Sequence, residues 1–251
     1  MTIISILIAF ALCHFVREIR HLRRFEWFGT FTDFCNENLK NLPGWSGPTG
    51  FLIILGLPLL AAYLVNGLMF SLMGQFGTFL FAIAILIYTF GPRDLDTDVQ
   101  KVIHATDEDQ QSEALKSLLN GPIPEEKDAC QTAAINAVFT KALKRWFAII
   151  FWFAVLGVFG ALLYRLAEWL TDKDLGVSDE QKDLFTSLCK IMEWPVAQLM
   201  TLSLAIATDF DCVYRAWRQY HVKQGHGLFE GNNDFMLISA VTIVKSGHAE
   251  L

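Results

Sequence analysis

The sequence predicts an all-α fold: a polytopic membrane helical bundle with a small cytoplasmic helical loop domain. Composition is the first reason. Hydrophobic residues make up 53% of the 251-residue chain, charged residues only 18%, and the mean hydropathy is +0.36. With the apolar residues gathered into runs, that balance suits a chain that meets lipid. The second reason is the stretch FAIIFWFAVLGVFGALLYRLAEWL at 147–170. No charge lies between Arg145 and Arg165, so the run is long enough to cross a bilayer as one helix. Lys141, Lys144 and Arg145 stand before it, and Tyr164, Arg165, Glu168 and Trp169 close it, as the two water boundaries of a span require. The third reason is charge placement. With the N-terminus outside, Arg17, Arg20, Arg23, Arg24 and Lys40, then Arg93, Lys101, Lys116 and Lys127, all fall on the cytoplasmic side.

In chain order, residues 1–16 are apolar and are followed by the arginines. A cleaved signal peptide carries its positive charge before the apolar region, so this run reads as an uncleaved anchor. Residues 17–50 read as a loop. It holds a basic amphipathic piece at 17–28 that offers Phe25, Trp27 and Phe28 to the headgroup region, then the breaker NLPGWSGPTG. Residues 51–70 form the second span. Its Pro58 is tolerable in a membrane helix, and its Asn66 should face another helix. A turn at 71–75 returns the chain as a third span at 74–90.

Residues 91–128 are the sizeable soluble piece. They hold one short helix with Val99, Val102 and Ile103 on a face. A second starts at Thr106 with Asp107, Glu108 and Asp109 in its first turn and ends at Asn120-Gly121. Another helix, 129–145, leads into the central span. Beyond a polar loop at 171–177, Ser178-Asp179-Glu180-Gln181 is a capping box opening an amphipathic helix. Trp194-Pro195 marks a break. The apolar residues 195–208 are short for a full crossing and read as a buried or re-entrant helix, closed by Asp209 and Asp211. The expected organisation is three spans in 1–90, a cytoplasmic helical segment in 91–145, and the central span, the Trp-Pro helix and a tail in 146–251.

The chemistry to be excluded is broad. A net charge of −6 argues against nucleic acid as a partner. Cys13, Cys35, Cys130, Cys189 and Cys212 form no C-x-x-C, so neither a metal site nor a redox pair is suggested. GHGLFEG lacks the Lys-Ser/Thr of a phosphate loop, and neither G-x-S-x-G nor H-E-x-x-H occurs. No cofactor is implied, and the expected partner is the lipid bilayer. Arg165 is the conspicuous group. A charge inside an apolar region either snorkels to the interface or pairs with an acid in the bundle, and Asp209 is the partner considered.

The stretches FWFAVLGVFGALLYR and MEWPVAQLMTLSLAIATDFDCVYRAWR resemble the CobD/CbiB-like membrane superfamily, and within it most closely the AmpE branch. The likeness runs through Phe151, Trp152, Gly157, Gly160, Ala161, Tyr164 and Arg165, then Trp194, Pro195, Asp209, Phe210 and Trp217, with Arg93-Asp94-Leu95 after the third span. It covers residues 76–245. The cobalamin-pathway members resemble amide-forming synthetases that join an amino-alcohol unit to a corrinoid carboxylate. They carry an Asn-Thr-Leu-Asp-Ser run where this chain has AEWLTD, a polar Asp-Gly where it has residues 144–147, and an Arg where it has Gln198. Those departures select the AmpE branch. The resemblance therefore implies a non-catalytic, multi-pass regulatory protein of the bacterial inner membrane, tied to β-lactamase induction and cell-wall fragment sensing. A cell-wall recycling or membrane protein is its implied partner. Arg93, Arg165, Trp194 and Asp209 are the candidate ligand-binding residues. The alternatives are a cobalamin-biosynthesis synthetase and a permease for a cell-wall fragment.

Overall fold

A computed structural model describes residues 2–15, 25–90, 95–105, 107–172, 176–224 and 233–249, and every regular element in them is helical. The elements are α1 (Thr2–Phe15), α2 (Glu26–Leu39), α3 (Pro48–Thr89), α4 (Leu95–Ile103), α5 (Glu108–Leu119) and α6 (Lys127–Ala142). A π-helical turn (Leu143–Phe147) then leads to α7 (Ala148–Leu156), α8 (Val158–Asp172), α9 (Asp179–Ala207), α10 (Phe210–Gln224) and α11 (Asp234–Ala249). They form two compact units, each built from two stretches of chain: 1–92 with 146–192, and 93–145 with 193–251.

The first unit is built on two helical hairpins. In α3 the helix is interrupted at Gly74, whose φ of 61° and ψ of −144° lie where only glycine is unstrained. A side chain at Gly77 would collide with the Met69 carbonyl. Residues eight apart on a straight helix are separated by about 12 Å, so the chain has folded back on itself. The reversal expected at 71–75 is therefore present. Among the described residues α3 alone is long and apolar enough to cross a membrane.

The same device corrects the reading of 147–170. That stretch is not one crossing helix. Gly157 ends α7 with φ 66° and ψ −149°, and a side chain at Gly160 would collide with the Trp152 carbonyl. The run turns back at Gly157 and packs α8 against α7. Hydropathy reports that a segment is apolar, but it does not report a glycine-only dihedral in its middle.

α8 forms the centre of this unit. Ala161, Tyr164, Leu166, Ala167 and Leu170 are all 0% exposed. The larger apolar side chains of this helix meet Ile54 and Leu55 of α3, Phe28 of α2 and Phe185 of α9 in one cluster. A second expectation fails here. Residues 26–39 are a helix where the sequence suggests a loop, and Phe25 and Phe28 are buried in the core instead of lying among headgroups. The period is present in the sequence: Phe28, Thr32 and Cys35 fall on one helical face and are all buried. The capping box forms as expected. The Ser178 N–H donates to Gln181 Oε1 at 3.2 Å, and the Gln181 N–H donates to Ser178 Oγ at 3.2 Å. Gln181 also donates to the Trp45 carbonyl, and Ser178 Oγ donates to the Ser46 carbonyl at 2.6 Å, which fastens the start of α9 to the loop before α3.

The outer face is apolar. Ile3, Leu7 and Phe10 of α1 and Leu52, Leu64 and Leu72 of α3 are all more than half exposed. Only 17% of the most apolar window of α3 is buried within the protein. Soluble monomers seldom leave so continuous an apolar surface uncovered, whereas lipid requires one.

In the second unit α4 packs on α5 and α6, and α11 packs on α6 and α10. Asn120, at φ 53°, ends α5 in the left-handed conformation that its sequence predicts. Thr106 lies outside the described residues, and Asp107 stands at the N-cap position. The break expected at Trp194-Pro195 is absent. α9 continues through Pro195 to Ala207.

Candidate functional site

Among the described residues of the first unit, Arg165 is the charged residue that is buried. The residue lies two turns beyond Gly157 on the best-buried helix and is 6% exposed. It does not snorkel. Its Nη1 donates to Glu168 Oε2 at 2.8 Å, one turn further on. Its guanidinium carbon stands 5.4 Å from the centroid of the Phe25 ring, within cation–π range. Phe25 in turn meets Tyr88 and Trp169, with ring centroids 4.6 Å and 6.4 Å away, and Trp27 Nε1 donates to the Tyr88 hydroxyl. The Arg165 Nε is buried without a hydrogen-bond partner. A fixed cation in an aromatic setting, with one N–H unspent, is suited to holding an anionic oxygen.

Sequence reasoning missed Glu168. It lies in the AEWLTD stretch, which lacks the family's polar cluster when compared residue by residue. Its spacing of three from Arg165 is the signal, because residues three apart on a helix are neighbours. Within its own unit the carboxylate partner of Arg165 is Glu168, whereas the Asp209 considered from the sequence belongs to the second unit. Asp209 is exposed and caps α10: its Oδ1 accepts from the N–H groups of Asp211 and Cys212 at 2.9 Å and 3.2 Å. Arg93 lies outside the described residues.

The first unit also anchors the middle of α9. Trp152 Nε1 of the Phe-Trp pair donates to the Met192 carbonyl at 2.9 Å, half a turn before Trp194-Pro195. Pro195 has no N–H to offer the turn before it. Trp194 is partly buried, and beside it Glu193 is 6% exposed and accepts from Asn233 Nδ2 at 3.0 Å. In the second unit, α9 and α10 enclose a groove of about 310 Å³ between Gln198, Leu202 and Ala205 on one side and Phe210, Tyr214 and Trp217 on the other. The three rings follow one another along α10, Phe210 to Tyr214 at 6.1 Å and Tyr214 to Trp217 at 6.2 Å. Phe210 and Trp217, both singled out in the sequence, thus line one apolar wall.

The family described as CobD/Cbib protein matches residues 6–225, which takes in both hairpins, the Arg165 site and the Trp-Pro helix. The chain belongs to the CobD/CbiB family. No curated protein and no solved structure matches it. Proteins of the CobD/CbiB family are membrane proteins, in keeping with the apolar outer face of α3.

Membership overturns the AmpE-like reading. The match is to the CobD/CbiB family and does not single out the AmpE branch, and it points to cobalamin biosynthesis instead of regulation of β-lactamase induction. The physical reason lies in the residues that favour that branch. They are polar groups counted as lost after Tyr164-Arg165, yet Glu168 in that stretch is a partly buried ionic partner of Arg165. A position-by-position comparison of residue types does not register a carboxylate at a different place in the stretch.

Proposed function

We propose that this CobD/CbiB-family chain acts in cobalamin biosynthesis, as a membrane-bound synthetase that joins an amino-alcohol unit to a corrinoid carboxylate through an amide bond. The observation that carries the reading is the family match over residues 6–225. The Arg165 site supports it, because a corrinoid side-chain carboxylate is the kind of group a buried guanidinium with a spare N–H holds well. In this reading Arg93, Arg165, Trp194 and Asp209 are ligand-binding residues. Arg165 neutralises and orients the carboxylate, and Glu168 fixes the guanidinium. The rings of Phe25, Tyr88 and Trp169 keep water away, which strengthens the ionic contact. On the same reading the chain is a multi-pass protein of the bacterial inner membrane.

The test has two arms. The full-length chain, expressed in a bacterium deprived of its own CobD/CbiB synthetase, should restore cobalamin-dependent growth. The purified chain in nanodiscs, given a corrinoid acid, an amino alcohol and a phosphoryl donor, should yield the amide by mass spectrometry. A well-folded protein that gives neither rescue nor amide overturns the proposal. Arg165→Ala should lower the rate at least tenfold, and through a raised KM for the corrinoid acid more than through kcat.

A further inference from the structure

We infer that the α7–α8 hairpin is re-entrant: it dips into lipid hydrocarbon, ends near the bilayer midplane and leaves by the face it entered, while the α3 hairpin beside it reaches the far side. The inference stands apart from the reaction proposed above. It rests on three observations about the two turns.

The first is that the turns are the same. Gly74-Gln-Phe-Gly77 and Gly157-Val-Phe-Gly160 share the pattern G-x-F-G. Their leading glycines have φ/ψ of 61°/−144° and 66°/−149°. In each, the second glycine receives the carbonyl of the residue eight positions earlier. Both are built to reverse a helix within a few residues.

The second is that both tips are largely apolar, the first with an exposed Gln75 at its end and the second with no polar side chain at all. Leu72, Met73 and Phe76 stand out at the first turn with 67%, 49% and 58% exposure, and Val155 and Leu156 at the second with 56% and 51%. No charged residue occurs from 41 to 92 or from 146 to 164. Exposed apolar side chains on uncharged arms belong in hydrocarbon, and the exposed Gln75 suits the first tip, but not the second, to the far water boundary.

The third is length. Arg145 is twelve positions before Gly157 and Arg165 eight after it, so the arms reach about 18 Å and 12 Å from these charges. The hydrocarbon core is about 30 Å thick, so the second tip stops near its middle. Arg165 is the first charge after the turn, and Trp27, which donates to Tyr88 beside the Phe25 ring, is 47% exposed, as an aromatic side chain at a boundary is. The Tyr63 and Phe159 rings are 6.1 Å apart, which sets the second tip level with Tyr63, eleven residues short of the first. The first tip thus extends about 16 Å deeper, close to a full crossing measured from Arg165.

The experiment uses the full-length chain in right-side-out and inside-out vesicles, with the native cysteines replaced and single cysteines introduced. Glu125→Cys and Asp183→Cys, before and after the hairpin, should react with an impermeant maleimide from the same face. Gln75→Cys should react from the opposite face, and Val155→Cys from neither until detergent is added. Reaction of Glu125→Cys and Asp183→Cys from opposite faces overturns the inference, as does reaction of Val155→Cys in either intact vesicle. Should the cysteine-free background fail to fold, the unaltered chain answers the same question. Lys127 and Lys190, both exposed, should acquire an impermeant succinimidyl ester from one face, and labelling from opposite faces overturns the inference.

Discussion

The hairpins at Gly74 and Gly157 share one turn and differ in what surrounds their arms. The arms of α3 present apolar side chains outward, with Leu52, Leu64 and Leu68 all more than half exposed. The returning arm of the second hairpin, α8, is almost wholly enclosed by α2, α3 and the start of α9. The first hairpin therefore keeps an outward apolar surface suited to lipid, and protein covers much of the second. The difference explains where a charge is allowed. Arg165 sits on α8, where Glu168 and the Phe25 ring are at hand, and the whole of α3 carries no charge at all. A turn motif decides that a chain reverses, and on the re-entrant inference the distance to the nearest charges decides how deep it goes.

The sharpest way to break this comparison is to block each turn. Gly160→Leu puts a side chain against the Trp152 backbone and forces α8 out of the core, so it should abolish the fold or cost more than about 3 kcal/mol. Gly77→Leu meets the Met69 backbone in the same way, but α3 keeps its lipid-facing surface. Its cost should be smaller, about 1–3 kcal/mol. Paired thermal melts in one detergent rank the two, and equal losses would remove the distinction between them.

The next largest effect concerns the charge that α8 tolerates. Glu168→Ala should cost about 3–5 kcal/mol, since it leaves the buried Arg165 guanidinium uncompensated, and Arg165→Ala should cost less, since Glu168 is only partly buried. The double replacement Arg165→Met with Glu168→Leu should cost clearly less than the two single losses added together. Additive losses in denaturant unfolding would show that the pair is not coupled.

These predictions also show how much can be read from the chain. The helical class, the reversal near Gly74, the capping box and the end of α5 at Asn120 are local events, set by apolar period, turn residues and caps. The reversal at Gly157 follows the same G-x-F-G pattern and is legible in principle. It is hidden by a run whose length and apolarity fit a straight span. The helix α2 is obscured because its pattern is shared by Thr32 and Cys35, which are small and do not read as a core face until Trp169 and Phe185 are set against them. At the site, Arg165 is visible in the sequence as a misplaced charge. Its partner is not, because an acid one turn along the same helix looks like part of the segment's polar edge, and a bundle suggests a partner from elsewhere.

Smaller effects sharpen the picture at the base of the hairpins. Gln181→Ala removes half of the capping box and the bond to the Trp45 carbonyl, and should cost about 1–2 kcal/mol in the same assay. Gln181→Glu should recover part of the cap but not the bond to Trp45, since a carboxylate cannot donate. Cys35 gives the mildest signal. Burial pushes its thiol above the ordinary range, so the folded state holds that proton more tightly than the unfolded chain does. The contribution is complete below the ordinary thiol pKa and is lost as pH rises toward the folded value. Cys35→Ala should therefore flatten the alkaline limb of the stability profile. In the native protein Cys130, which is partly exposed, should be alkylated well before the buried Cys35.

The account turns on whether residues 147–170 reverse or run straight. Spin labels at Phe147→Cys and Thr171→Cys, in a background with the native cysteines replaced and the chain in nanodiscs, measure this directly by dipolar electron resonance. Twenty-four positions of continuous helix would hold the two backbones about 36 Å apart. Two packed arms meeting at Gly157 bring them to about 12 Å, given helix axes about 8–10 Å apart and the unequal arm lengths. A short distance is the predicted result. A single population near 36 Å would contradict the hairpin and return the segment to a simple span.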